Sequence, residues 1–249
     1  MVTKGIICAG GLGTRLRPLT LVTNKHLLPL YDRCVIHYPI ETMLECGIDH
    51  IIIVTGGPHA GHFLRALGNG KKLGIAHLEY TYQEEEGGIA QAIGLCKDFA
   101  AGEPVLVILG DNFTDTDLRP VVQKFERGAH IFLKTVPNPA EFGVPVFDDA
   151  DPSRIVAIEE KPKEPKSEYA VTGFYLYDSR VFDFIRELRP SGRGELEVSD
   201  LNNRYAQLGE LSWSELDGEW YDVGTSFDSL LHVSNLVAQK RRAGRKARK

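Results

Sequence analysis

The stretch 9–17, AGGLGTRLR, places three glycines and two arginines at the end of an apolar strand pattern. Gly10, Gly11 and Gly13 let backbone N–H groups reach phosphate oxygens without side chains in the way. The spacing Gly-x-Gly-x-x-Leu departs from the dinucleotide fingerprint, and Arg15 stands where a P-loop would carry Lys followed by Ser or Thr. A glycine loop alone is as often only a tight turn. Lys25, ten residues later in TNKHLLP, supplies a second cation. A guanidinium fork with an ammonium suits a triphosphate whose charge gathers on a departing pyrophosphate.

Carboxylates are the next requirement. Asp111 closes PVLVILGD, the carboxyl end of an apolar strand, where side chains of an α/β sheet face the ligand crevice. Asp222, in EWYDVGT, sits among aromatic residues just before a helical stretch. Taken singly, each is equally an ordinary turn or helix cap. Lys161, in IEEKP, is by itself a strand-end lysine pairing with Glu159 or Glu160. None of the eight histidines has the partner spacing of a nucleophile.

These residues need a frame. GIIC, HIIIVT, HLEYTY, PVLVILG and AHIFLKTV are short β-branched runs, separated by helical spacing over 35–46, 58–67 and 117–127. Such alternation predicts crossovers and a largely parallel sheet flanked by helices, a Rossmann-like α/β fold. Beyond residue 140, GVPVFD, RIVAIEEKP and EYAVTGFYLYD read as strands with little helix between them, followed by helices near 179–189, 198–207 and from about 225. The expected organisation is one domain over 1–239. It comprises a nucleotide half (about 1–137) and a β-rich substrate half (about 138–239) inserted on the same sheet.

With 249 residues and 43% hydrophobic content, one substantial core is possible. No apolar run reaches membrane-spanning length and no leader-like opening is seen, so a soluble cytoplasmic protein without membrane contact is expected. The net charge of −5 conceals an asymmetry. Residues 240–249, KRRAGRKARK, hold seven basic groups, leaving 22 basic against 34 acidic elsewhere. An acidic body argues against a nucleic-acid partner, and the tail is expected to be a solvated, frayed helix end with no apolar face to dock. Cys8, Cys34, Cys46 and Cys96 have no metal-like spacing and are expected as buried free thiols.

The blocks AGGLGTRLRPLT, NKHLLPLYDRCVIHYPIE, YQEEEGGIAQAI, VILGDNF, EFGVPVFD, IEEKPKEPKSEYAVTGFYLYD, SGRGELEVSDLNN and WYDVGT occur in order along most of the chain. Together they resemble the sugar-phosphate nucleotidylyltransferases, and specifically the glucose-1-phosphate thymidylyltransferase family. The resemblance implies that Gly10, Gly11, Gly13 and Thr14 line the nucleotide site, with Arg15 and Lys25 catalytic. It further implies that Asp111 and Asp222 share a Mg²⁺ ion, which favours one or two carboxylates completed by phosphate and water oxygens. On the sugar side it implies Lys161 and Arg193 on the phosphate, with Glu160, Gly143 and Val171 lining the pocket. Gln83, with Gly88 opening a helix five residues later, could face the base. A glutamine amide can donate to O4 and accept from N3–H of thymine or uracil, but mismatches cytosine. The three glutamates Glu84–Glu86 between them depart from many relatives.

The expected reaction joins a sugar 1-phosphate to dTTP or UTP. The sugar phosphate, with a second pKa near ~6, is already a nucleophilic dianion, so no general base is needed. Two alternatives stand beside it. Asp115-Thr116-Asp117 has the DxD form of a glycosyltransferase metal motif, and a non-catalytic nucleotide-sugar sensor would use the same fold. A homo-oligomer is possible. The short stretch after Asp222 argues against the second, regulatory site carried by longer relatives.

Overall fold

The computed structural model describes residues 1–247, with side chains through residue 243. In chain order the strands are β1 (Lys4–Ala9), β2 (Pro29–Leu30), β3 (Arg33–Cys34), β4 (His50–Gly56), β5 (His77–Gln83), β6 (Val105–Leu109), β7 (Asn112–Thr114), β8 (Ala129–Thr135), β9 (Gly143–Phe147), β10 (Ile155–Glu160), β11 (Tyr169–Tyr177), β12 (Leu211–Glu215) and β13 (Trp220–Asp222). The α-helices are α1 (His37–Glu45), α2 (Ala60–Leu67), α3 (Ile89–Gly94), α4 (Lys97–Ala100), α5 (Arg119–Lys124), α6 (Val181–Glu187), α7 (Val198–Gln207) and α8 (Phe227–Ala247).

Seven strands form one sheet in the order β12-β8-β11-β6-β1-β4-β5. β1 pairs parallel with β4 and β6, β4 with β5, and β8 with β12, while β11 runs antiparallel between β8 and β6. This is the mixed, mostly parallel α/β fold expected from the apolar runs. Strands covered on both faces need apolar side chains pointing both ways. Within β1, Ile7 enters one core layer with Ile53, Met43 and Phe63, while Ile6 enters the other with Val107, Tyr175 and Tyr205. β9 and β10 pair only with each other, in a small antiparallel ladder.

Two features position the site. β11 loses register with β8 between Val171 and Tyr175, and Gly173 lies in the break. A Cβ on Gly173 would fall 2.5 Å from Asn112 Cγ, so the strand approaches the start of β7 as only glycine can. The second is a short antiparallel ladder between β7 and β13, which sets Asn112 opposite Asp222. Beneath it a third apolar cluster of Leu30, Val35, Tyr38, Phe113, Val223, Val233 and Val237 seats α8.

The basic stretch continues α8 to Ala247 as the expected helix end, and its first two residues are held by charge. Lys240 pairs with Asp115, and Arg241 lies 3.6 Å from Asp32 and 4.0 Å from Glu41. Acidic patches on the body thus supply what the tail's own composition lacks. Residues 248–249 lie outside the described residues. All four cysteines are free, Cys34 half-buried and the others buried. Burial pushes the Cys8 and Cys46 thiols up to about 12, so neither is a nucleophile near neutrality. Among the described residues no helix is long and apolar enough to cross a membrane.

Candidate active site

β1 ends at Ala9, and the glycine loop turns on left-handed residues, Gly11 at φ 84° and Gly13 at φ 60°. Thr20 Oγ1 donates to the Gly13 carbonyl at 2.7 Å. A Cβ on Gly13 would come within 2.9 Å of Thr20 and 3.1 Å of Lys25, so this glycine is required by packing as well as by conformation. A 3₁₀ turn over Thr14–Leu16 is anchored by buried Leu16 and leaves Thr14 and Arg15 exposed at the crevice. A second 3₁₀ turn, Lys25–Leu27, is capped by Asn24, whose Oδ1 accepts from the His26 backbone N–H at 3.0 Å and lies 2.6 Å from His26 Nδ1. Asn24 Nδ2 donates to Ala9 O at 3.4 Å, tying the root of the loop to the Lys25 turn. Burial, with Lys25 alongside, lowers the His26 pKa to about 3, so the ring is a neutral strut. Nothing in the residue types announced this Asn24–His26 buckle except the helix-cap preference of asparagine.

Asp111 follows β6 and Gly110, and the β7–β13 ladder brings Asp222 beside it. The Val223 N–H donates to Asp111 O at 2.9 Å. Lys25 Nζ lies 2.5 Å from Asp111 Oδ2. Gly224 stands against both, where a Cβ would run into the Asp111 carboxylate and lie 3.2 Å from Lys25 Nζ. Asn112, 2% exposed, is the central tie. Its Nδ2 donates to Asp111 Oδ1 at 3.3 Å, and its Oδ1 accepts from Gly173 N–H at 3.0 Å and Trp220 Nε1–H at 2.7 Å.

The charges confirm the crowding. Burial works against the Asp111 carboxylate, but Lys25 and the polar groups beside it outweigh burial and hold its pKa well below the usual range. Asp222 is pushed up to about 7, by burial and then by the charge on Asp111, with Lys25 and Arg15 only partly offsetting this. For Lys25, burial is likewise outweighed by Asp111 and Asp222, so its pKa rises. Two hard carboxylates brought together beside the β7–β13 ladder form a donor set suited to Mg²⁺, whose charge would relieve the repulsion that raises Asp222.

Across the crevice, Glu160 ends β10 opposite Gly143 of β9. Its Oε2 accepts from Ser199 Oγ at 2.5 Å, and Arg193 Nη2 lies 3.3 Å from its Oε1. Lys161 is half-exposed, with φ 46° and Nζ 3.7 Å from Glu160 Oε1. Gly143, Glu160, Lys161 and Arg193 therefore do come together. Arg193 is held chiefly by Glu197 at 2.8 Å, so a phosphate there would share a guanidinium already in use. Val171 is buried on β11 at the register break. Tyr175, absent from the sequence-based set, lies 3% exposed on the same strand, and after burial the carboxylates Glu160, Asp222 and Asp111 raise its phenol. The alternation FYLY in β11 carried that signal, since Phe174 and Tyr175 enter opposite core layers.

Gln83 and Gly88 also meet, in a way that changes the expected roles. Gln83 Nε2 donates to Gly88 O at 3.1 Å and Gln91 Oε1 at 2.7 Å. Its two amide hydrogens are thus spent internally, and the donation to a base O4 expected of it is not free. Its Oε1 faces the glycine loop, 3.0 Å from where a Gly10 Cβ would be. Glu86 reaches the same loop, accepting from Leu12 N–H at 2.8 Å.

The nucleotidyl transferase family, as a sequence model, matches residues 4–240. The chain belongs to this family. A glucose-1-phosphate thymidylyltransferase of Actinoplanes sp. SE50/110 is 44% identical over 240 residues, covering 94% of this chain and 78% of that protein. One from Mycolicibacterium smegmatis is 44% identical over 239 residues, covering 94% and 82%. A crystal structure of a Bacillus anthracis protein assigned as a glucose-1-phosphate thymidylyltransferase, in complex with sucrose, superposes with a TM-score of 0.87 at 47% identity, covering 94% of each chain. As a nucleotidyltransferase, the chain has a structural use for its DxD run. Asp115 accepts from Glu219 N–H at 2.6 Å and pairs with Lys240, and Asp117 is gripped by Arg119 at 2.8–3.1 Å. Both carboxylates are thus engaged by the protein's own groups.

Proposed function

We propose that the chain transfers a nucleotidyl group from dTTP or UTP to a sugar 1-phosphate, with glucose 1-phosphate the leading acceptor, and releases pyrophosphate. The observation that carries this is the convergence of Asp111 and Asp222, from distant parts of the chain, on Lys25 beneath the Arg15 loop. The names of the relatives support this choice of acceptor and nucleotide class. The Gln83 Oε1 is an acceptor suited to the N3–H of thymine or uracil, which cytosine and adenine lack at the corresponding position. With Gln83 Nε2 engaged, the Gly88 N–H at the start of α3 takes the O4 role.

The sugar phosphate, a dianion near neutrality, is held by Lys161 and Arg193 while Glu160 accepts from ring hydroxyls beside Gly143 and Val171. One phosphate oxygen attacks the α-phosphorus in line, so positioning and charge neutralisation do most of the catalysis. Gly10, Gly11, Gly13 and Thr14 cradle the phosphates, and Arg15 with Lys25 stabilises the leaving pyrophosphate. Asp111 and Asp222 would hold Mg²⁺, which would supply further charge stabilisation to the reacting phosphates. No protein base or covalent intermediate takes part.

The test is pyrophosphate release from glucose 1-phosphate with each of dTTP, UTP, ATP, GTP and CTP. Release with dTTP or UTP well above the others is expected. A preference for a purine nucleotide, or cleavage of nucleotide sugar without dependence on pyrophosphate, would overturn the proposal.

A further inference from the structure

The ammonium of Lys25 stands where a cation of the carboxylate pair belongs. Nζ lies 2.5 Å from Asp111 Oδ2, with the two side chains only 18% and 7% exposed. Among the described residues Asp111 is its sole ion-pair or hydrogen-bond partner. Its stem is fixed by Gly13 on one side, and its head is confined by Gly224 on the other. Asp222 has no ion-pair partner among the described residues, and its Oδ1 accepts only the Gly224 N–H at 2.9 Å. Among the described residues, then, only one carboxylate of the pair is matched by a cation.

We infer that Lys25 is the resident counter-ion of the Asp111–Asp222 pair and must release Asp111 to the incoming nucleotide phosphates before a divalent cation can be held tightly there. This rests on the metal reading given above. A divalent ion on Asp111 Oδ2 would sit at about 2.1 Å from an oxygen that the ammonium already holds, and the two cations would repel at close range. Lys25 can leave only if another anion receives it. In this crevice the anion at hand is the triphosphate, presented by the glycine loop that Lys25 packs against. Metal and nucleotide therefore bind as a unit, each improving the other's hold, and metal without nucleotide binds poorly. Arg15, exposed and outside the carboxylate pair, does not compete in this way.

The experiment measures binding of Mn²⁺ alone, by the loss of its free-ion electron spin resonance signal, with no nucleotide and no turnover. A cation beside a carboxylate lowers its affinity for a proton by about one to three powers of ten, and a divalent cation meets the same repulsion. Lys25→Met should therefore bind Mn²⁺ at least about tenfold more tightly than the unmodified chain, and Lys25→Arg should not. Lys25→Gln, which retains a donor for Asp111, is the second variant should the methionine form not fold. Mn²⁺ binding by the neutral variants that is unchanged or weaker overturns the inference. Asp222→Asn in the Lys25→Met background separates the two readings. If it abolishes the tightened binding, the metal pair stands; if it leaves Mn²⁺ binding intact, the assignment of the pair itself is wrong.

Discussion

Asn112→Ala is the substitution that most directly tests how the site is held. The asparagine Oδ1 is the acceptor for two buried donors, the Gly173 N–H and the Trp220 Nε1–H, and Nδ2 braces Asp111. Truncation leaves both donors without a partner, each at a cost of about 1–3 kcal/mol. Gly173 has no side chain with which to fill the space, so relaxation is limited and a total of about 2–6 kcal/mol is expected. For a chain of this length the unfolding entropy is about 0.5 kcal/mol per degree, so the melting temperature should fall by about 4–12 °C. Trp220→Phe removes one donor while leaving Asn112 satisfied by Gly173, and should cost about 1 kcal/mol, or some 2 °C. Thermal unfolding followed by calorimetry at neutral pH measures both. A drop for Asn112→Ala no larger than that for Trp220→Phe would refute the idea that this side chain ties β7, β11 and β13 together.

Arg15→Ala should lower kcat by about 10²-fold with little change in melting temperature, since the exposed guanidinium acts on the leaving pyrophosphate and not on the fold; near-normal turnover would remove that role. Lys161→Ala should raise KM for the sugar 1-phosphate far more than KM for the nucleotide, and equal changes would mean it is misplaced. Burial lowers the His130 pKa to about 4 while the unfolded chain titrates near 6.5, so the unfolded state takes up the proton first as pH falls. That contribution is present above pH 6.5 and lost on the way down through pH 4, so His130→Asn should lose less melting temperature between pH 7 and pH 5 than the parent. Removal of residues 240–249 deletes half-exposed pairs worth at most about 1 kcal/mol each. A small, salt-sensitive loss of stability with retained turnover is expected, and abolished turnover would show that the tail reaches the site.

The core strands were legible because β1, β4 and β6 are apolar runs whose residues must be covered on both faces. β7 and β13, three residues each, carry no periodicity that could distinguish them from loop. What makes them strands is their pairing with each other, a contact between distant parts of the chain. For the same reason, local spacing left Asp111 and Asp222 as possible caps, and only the resemblance joined them. Gln83 and Gly88 were found as a pair from base-recognition chemistry, but the direction of the amide was decided by Gln91, a partner outside the motif. Composition shows that the tail's helix has no apolar face, and not that Asp115, Asp32 and Glu41 lie within reach of its first two charges.

The β7–β13 ladder has a practical consequence. It joins two strands that lie far apart in the sequence, while the largely exposed turn 148–154 between β9 and β10 lies between them. A chain opened in that turn would divide into a fragment bearing Asp111 and a fragment bearing Asp222, neither with a complete acidic pair. Reassociation would have to rebuild the ladder before pyrophosphate could form. The two fragments would therefore make a complementation sensor, silent apart and enzymatically active together, in which the signal is generated at the seam where the halves meet.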